Sequence, residues 1–368
     1  MIALIIYLSN TVFFPIYFIM LCFPLLAFRA YINREKINIS FEEKIGFLLF
    51  SFCSVISIFI YIFFPSDNVG FVYNNLLGDF PYLFLVFFAI LIAKFVNKND
   101  LKLILYFTCF EIFIGMFEYY YGVSTFFENK VHSQVKDFAD EDLLYYRRVF
   151  GLSTNSSVLA FKILLSFIIV FILRFDLDKK KIYYILFILL TGLVITFNRT
   201  TILSLVFGFS LYYIFFNFNF RKLIYLISGF TFFIFLFLDK ILEQIFRGRG
   251  DVDFSGRDVI FKYYIDFIQN NFFIGNSGSK FWGLLNGHTF HAHNSFLQTI
   301  ASNGFFIGFL FILGYAIVFY RAKIVLLMIF FYSCYQYGIF WGISFNDIVV
   351  AAIMYCLIDQ GRKTVNVN

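Results

Sequence analysis

STNSSVLAFKILLSFIIVFIL, residues 153–173, decides the fold class. It carries one charged residue, Lys162, and is followed at once by Arg174 and the run Lys179-Lys180-Lys181. An α-helix needs about 20 mostly apolar residues to cross the hydrocarbon of a bilayer, so this stretch reads as a transmembrane helix with a basic flank. Ten further charge-poor runs qualify on either side of it: 2–28, 45–64, 80–95, 103–121, 182–197, 200–216, 223–238, 305–320, 324–340 and 345–358. The expectation is an all-α polytopic integral membrane protein with about 11 transmembrane helices, roughly 10 to 12. No internal repeat, linker or low-complexity tract divides the chain, so 1–368 reads as a single transmembrane domain.

Composition agrees. Apolar residues make up 61% of the chain and charged residues 14%, where a soluble domain carries about 25% charged. A core cannot absorb that excess of Phe, Ile, Leu and Tyr, so lipid must solvate the rest. The five cysteines (Cys22, Cys53, Cys109, Cys334, Cys356) all lie in apolar runs and have no His or Cys at metal-ligand spacing. They read as small apolar fillers, not as a disulfide framework. Residues 2–28 lack a basic leader and a small-residue cleavage site, so they read as a retained span, kinked at Pro15 and Pro24.

Lys and Arg set the orientation. One alternating set of connections holds Arg29, Arg34, Lys36 and Lys44; Lys94, Lys98 and Lys102; Arg174 and Lys179–Lys181; Arg221 and Lys222; Arg321 and Lys323; Arg362 and Lys363. The positive-inside rule makes these cytoplasmic. The other set then faces outward: 65–79, 122–152, the tight break at Asn198–Arg199, 239–304 and 341–344. The segment 239–304 is the major external loop and 122–152 the second.

The external segments hold the candidate chemistry. Phe254-Ser255-Gly256-Arg257-Asp258 reads as a helix start with Ser255 as cap, and from Val259 on Ile260, Phe261, Tyr264, Ile265, Phe267 and Ile268 fall at helical spacing, an amphipathic helix on the membrane or over the bundle. Gly275-Asn276-Ser277-Gly278 breaks it. His288 precedes His291-Ala292-His293-Asn294, with Asn294 as cap of a helix over Ser295–Ile300. His291 and His293 could ligate zinc, but the segment supplies no third ligand at the usual spacing. A general base needs only one imidazole, which suits a histidine at a helix start near the membrane surface, and interfacial histidines that merely cap a helix are the plainer reading.

Arg199 stands between two spans with almost no loop around it. Arg147 and Arg148 precede another span, and Arg247, Arg249 and Arg257 lie in the large loop. None is needed as an orientation signal, and guanidinium forks bind phosphate oxygens in pairs. Surface pairing with the loop's six acids against its six bases is the competing reading. Asp251-Val252-Asp253 has the spacing of a metal-diphosphate pair, a weak pattern. Within the bilayer, Lys162 calls for a Glu111 or Glu118 partner, because a lone charge there is costly.

Four pieces in this order resemble the O-antigen polymerase/ligase superfamily of bacterial surface-polysaccharide assembly: Arg148-Val149-Phe150-Gly151-Leu152-Ser153-Thr154-Asn155; Asn198-Arg199-Thr200; Gly256-Arg257-Asp258 through Asn271-Phe272-Phe273-Ile274-Gly275; and His293-Asn294-Ser295-Phe296-Leu297-Gln298 followed by Asn303-Gly304-Phe305-Phe306-Ile307-Gly308. The resemblance implies a GT-C-like, metal-independent, inverting glycosyltransferase of the inner membrane, without a cofactor. It would act on the periplasmic face in lipopolysaccharide or capsule biosynthesis. It implies His293 as the base and Arg199 and Arg257 on the donor diphosphate; Arg148 is a further candidate for the diphosphate, with His291, Asn294, Arg247 and Arg249 in support. The implied partners are undecaprenyl-diphosphate-linked glycan donor and acceptor and the lipid bilayer, with a chain-length regulator and a flippase nearby and no nucleic acid. Phe261, Asn271 and the residues around Ser302 depart from the family pattern. Length and Phe/Ile bias favour the repeat-unit polymerase over the ligase that transfers finished glycan to lipid A-core. A transporter is the contrasting class, expected to show repeat symmetry and short external loops.

Overall fold

In a computed structural model, the residues described are 1–33, 39–64, 81–131, 147–174, 176–216, 228, 257–285 and 288–365. Helices dominate. They are α1 (Ile2–Leu8), α2 (Cys22–Asn33), α3 (Phe41–Phe63), α4 (Tyr82–Ala93), α5 (Lys98–Tyr121), α6 (Ser156–Leu173), α7 (Lys179–Thr196), α8 (Arg199–Phe216), α9 (Arg257–Asn270), α10 (Ser295–Asn303), α11 (Phe305–Phe319), α12 (Lys323–Tyr335) and α13 (Phe345–Val365). Between α9 and α10 lies an antiparallel hairpin of β1 (Gly283–Leu285) and β2 (His288–Phe290), with Leu284 opposite Thr289.

Local sequence places the helix starts. Ser40 and Glu43 form a reciprocal capping box on α3, and Asn97 and Asp100 do the same on α5, each satisfying two amide donors that a helix start leaves open. Asn155 caps α6 by accepting from Val158 N at 3.0 Å. Helix α6 is the central one, its apolar window almost wholly buried.

The span count differs from expectation. Among the described residues, three stretches are long and apolar enough to cross a membrane: Phe41–Phe63, Ser156–Leu173 and Phe305–Tyr335. A fourth is reached if Tyr82–Ala93 and Lys98–Tyr121, bent by 109° at their junction, count as one span. Eleven apolar runs therefore do not become eleven full-length spans, because several helices are short; the 12 residues of α4 rise only about 18 Å against a hydrocarbon thickness of about 30 Å. Phe305–Tyr335 folds back at Tyr320–Ala322, since Gly304 at one end and Cys334 at the other both lie against α10. The run 2–28 is broken rather than kinked. Helix α1 ends at Leu8, and Pro15 opens a 3-10 turn over Ile16–Leu21, as a residue without an amide proton does. The run 223–238 lies outside the described residues.

The two ends of the bundle are chemically distinct. At one end the basic connections meet acids: Arg29 with Asp100 at 2.5 Å, Lys94 with Glu43 at 3.1 Å, Lys98 with Asp176 at 3.0 Å and Arg321 with Glu42 at 2.8 Å. From that end α3 runs to Ser57, whose hydroxyl bonds Asn303 Oδ1 at 2.8 Å, about 24 Å of helix rise beyond Phe41. The residues singled out for chemistry gather at this far end.

Lys162 finds its partner in Glu111. Its ammonium donates to Glu111 Oε2 and to Asn10 O, both at 2.9 Å, with both side chains fully buried. Ser153 Oγ donates to Glu111 Oε1 at 2.6 Å, and Tyr7 also donates to this carboxylate. Glu118 takes a different role, accepting from Gly151 N at 2.7 Å and Phe126 N at 3.1 Å. The two glutamates thus hold the 149–153 segment, and with it Arg148, against the bundle.

Candidate active site

The site is assembled on a small core of its own: Tyr264, Phe281, Ala292 and Ala301, with Ile260, Tyr263, Phe267, Ile268, Phe290 and Leu297 around it. Phe267 stacks on Phe281 with ring centroids 3.7 Å apart. Gln298 ties this core together. Its buried amide donates to Phe281 O at 2.5 Å and its Oε1 accepts from Ala292 N at 3.0 Å and from Tyr264 OH at 3.2 Å. One side chain thereby fixes α9, the stretch leading into the hairpin and the backbone just ahead of His293.

The Gly275–Gly278 turn packs on the far end of α10. Asn276 N donates to Ala301 O, Gly278 N to Ser302 O, and Phe305 N to Phe272 O, at 2.8–2.9 Å. A Cβ on Gly304 (φ 80°) would come within 2.1 Å of Phe273 O, and one on Gly275 (φ 54°) within 2.4 Å of Gly304 N. Only glycine allows both the left-handed backbone and the contact. Two of the four motif pieces are therefore one structural joint.

Asn294 caps α10 as expected, its Oδ1 accepting from Phe296 N and Leu297 N at 2.9 Å while its Nδ2 reaches Cys334 O at 2.9 Å. The residue before it, His293, has φ 49°, unusual for a residue with a side chain. His293 N donates to His291 Nδ1 at 3.1 Å. That nitrogen is an acceptor, so the His291 proton sits on Nε2. Burial, followed by the neighbouring His293, Lys280 and Arg257, holds the His291 imidazolium well below its usual range. His293 is pushed down to about 4 by burial and then by Arg257, partly offset by Gln336. Its Nδ1 is buried without a hydrogen-bond partner among the described residues. The ring is a neutral acceptor with an unused nitrogen.

Arg257 opens α9 and is pinned to the 335–336 segment, donating to Tyr335 O at 2.9 Å and Gln336 Oε1 at 3.3 Å. Gln336 thus stands between Arg257 and His293. Arg199 is the first residue of α8, half-buried, directly after the left-handed Phe197 and after Asn198, whose side chain accepts from Thr201 N at 3.0 Å. Thr201 and Arg257 both face Tyr332 of α12, one turn before Gln336. Val149 N donates to Ile195 O at 3.2 Å, which puts the half-buried Arg148 at the same end of the bundle. Arg148, Arg199, Arg257, His291, His293 and Asn294 thus share one end. Arg247, Arg249, Ser255, Asp251 and Asp253 lie outside the described residues.

Several side chains here had no role in the sequence reading. Lys280 places its ammonium 3.9 Å from the Trp341 ring centroid, 4.6 Å from Tyr337 and 5.5 Å from Trp282. Trp341 and Tyr337 stack at 4.0 Å, and both lie within 5.5 Å of the His291 ring. Asp347 holds the 340–344 turn by accepting from Phe340 N, Trp341 N and Ser344 Oγ at 2.6–2.8 Å. Ser295 Oγ accepts from Gly338 N and Ile339 N at 3.1 and 3.2 Å. The hairpin also departs from the all-helical expectation; Asn286-Gly287 between the paired Leu285 and His288 is the dipeptide that favours two-residue hairpin loops and was the available signal.

Such an arrangement can bind an anion with guanidinium and ammonium groups while a neutral imidazole accepts a proton. No curated protein and no solved structure matches the chain. Residues 184–313 match a protein-family model described as O-antigen ligase. The matched stretch contains Arg199, Arg257, Lys280 and His293, and its similarity supports a place in the O-antigen polymerase/ligase superfamily of glycosyltransferase-like membrane enzymes, with the two branches undivided.

Proposed function

We propose that this protein is the repeat-unit polymerase of an O-antigen or capsular polysaccharide, acting at the periplasmic face of the bacterial inner membrane. Donor and acceptor are both carried on undecaprenyl diphosphate, and the growing glycan moves en bloc onto the incoming repeat. The observation that carries this reading is the neutral His293, with its unpartnered Nδ1, beside an Arg257 oriented by Tyr335 and Gln336. His293 takes the proton of the acceptor hydroxyl as that oxygen attacks the anomeric carbon, and the lipid diphosphate leaves with the bonding electron pair. Attack opposite the leaving group inverts the anomeric centre. Arg257, Arg199 and Arg148 offset the charge that builds on the departing diphosphate. Because a diphosphate is already a good leaving group, positioning and charge are the main demands on the protein, and the assigned roles call on no metal.

A second reading keeps the chemistry and changes the acceptor: the ligase that transfers finished glycan to lipid A-core, favoured by the description of the matched family. Deleting the gene and resolving the surface polysaccharide on a gel separates them. Core carrying a single repeat is the polymerase result; bare core with accumulated lipid-linked polymer is the ligase result; an unchanged ladder rejects both. His293→Ala, checked to remain in the membrane, should reproduce the deletion pattern, and wild-type ladders from it would remove His293 as base.

A further inference from the structure

Lys280 brings an ammonium group to this site. Among the described residues it makes no hydrogen bond and no ion pair, although an ammonium has three donors to place. Asp347, the acid that faces it, already accepts from two amides and a hydroxyl. What surrounds the ammonium instead is aromatic. The Trp341 and Tyr337 centroids are 4.0 Å apart, and the nitrogen lies 3.9 and 4.6 Å from them, so it sits in the notch at the shared rim of the two stacked rings, with Trp282 5.5 Å away. At the shared rim the ammonium meets ring edges as much as faces, so the stack gives it neither a counter-charge nor a strong hydrogen-bond acceptor. The notch adjoins His291, whose ring centroid is 5.3 Å from Tyr337, 5.5 Å from Trp341 and 4.2 Å from that of His293.

We propose that Lys280, parked in its aromatic notch, is an anion-binding residue of this site, receiving an anionic oxygen group of the glycan substrate beside His291 and His293. The group is a phosphate of the lipid diphosphate or the carboxylate of an acidic sugar. The proposal deepens the glycosyltransferase reading and rests on it for the identity of the substrate. It adds a cation contributed by the stretch between the Gly275–Gly278 turn and the hairpin, separate from the arginines. Burial brings the Lys280 ammonium down to about 7, with Asp347 opposing. The titratable and charged groups on the elements packed around it are Asp347, Tyr337, His291, His293 and Arg257. Of these, Asp347 favours the charged lysine, while Arg257 adds a fixed positive charge; both histidines stay neutral near pH 7. Anion binding through Lys280 should therefore weaken as pH rises through about 7.

The chain's two tryptophans, Trp282 and Trp341, both flank this lysine, so intrinsic fluorescence of the full-length protein in nanodiscs reads the notch directly. The probes are a glycosyl polyprenyl diphosphate, whose doubly substituted diphosphate keeps its charge across neutral pH, methyl galacturonoside, and uncharged polyprenol as control. One anionic probe should give a saturable change that polyprenol does not, and which one it is tells phosphate from carboxylate. Lys280→Met should raise its Kd about tenfold at pH 6.5 and Lys280→Arg should restore most of it. Wild-type binding should weaken about tenfold between pH 6 and 8.5. A Lys280→Met protein that binds as tightly as wild type, a wild-type Kd flat across that pH range, or no response to either anion would each overturn the proposal. The pH series needs no variant, so it decides even if Lys280→Met fails to fold. Wild-type binding by Lys280→Met alongside single-repeat glycans in the deletion strain sinks the lysine and keeps the polymerase; Lys280-dependent binding alongside an unchanged polysaccharide does the reverse.

Discussion

His293 is held neutral by burial and by the nearby Arg257, which bring its imidazolium down to about 4. Between pH 4 and 6.5 the unfolded chain binds a proton there that the folded chain does not, so this residue makes stability rise with pH across that window. The same shift sets an activity profile. As the base, His293 should give kcat/KM an acid limb near pH 4, not near 6.5, in a transfer assay on purified protein; a limb at 6 to 7 would assign the proton to another group. Arg257 makes a different prediction. Its two donors to Tyr335 O and Gln336 Oε1 fix the plane of the guanidinium, and lysine keeps charge but not plane. Arg257→Lys should lower kcat/KM about tenfold or more, measured beside Arg257→Ala to separate charge from geometry. At this scale the motif residues were legible, since Asn294 as cap and the clustering of His293 with Arg257 follow from residue type and order. Lys280 was not, because its neighbours Tyr337 and Trp341 come from a segment more than fifty residues away, and no spacing rule joins them.

Among the elements, the α1–α5–α6 packing turns on Glu111 and Lys162. Each is fully buried, and removing one partner leaves the other charge in a medium that cannot solvate it, which costs about 3–5 kcal/mol. Lys162→Met should therefore lower the thermal midpoint and the membrane yield sharply, with Glu111→Gln added to it recovering part of the loss. A Lys162→Met protein with unchanged melting and activity would show that the pair locks nothing. Sequence reading reached this pair because an intramembrane lysine demands an acid, but chose between Glu111 and Glu118 only when the depth of each along α5 was known. Within the described residues it read most apolar runs as the helices they form and misjudged their lengths, since hydropathy records where lipid or core is tolerated and not where backbone turns end. Pro15 and the 109° bend after Ala93 are such ends. The hairpin escaped because two three-residue strands give too short an alternation to stand out.

On the scale of the whole molecule, the ion pairs of Arg29, Lys94, Lys98 and Arg321 mark one end and the histidine–arginine site marks the other. The alternation of basic and non-basic connections along the chain thus reappears as two separate poles. Single cysteines introduced at Lys44 and Thr289, both exposed, in a cysteine-free background test which pole faces out. A membrane-impermeant maleimide should label the Thr289→Cys protein in intact spheroplasts and the Lys44→Cys protein only after permeabilisation. The reverse pattern would put the site in the cytoplasm and end the periplasmic assignment. The joint at Gly275 and Gly304 bears on how such proteins diversify. With Phe272 O bonded to Phe305 N, the chain enters and leaves the 273–304 segment at a single doorway, so the segment is a cartridge. Recombination between relatives could replace Lys280, Trp282, the hairpin and the histidines in one exchange, while the Tyr337–Trp341 stack stays with the membrane chassis and meets whatever arrives.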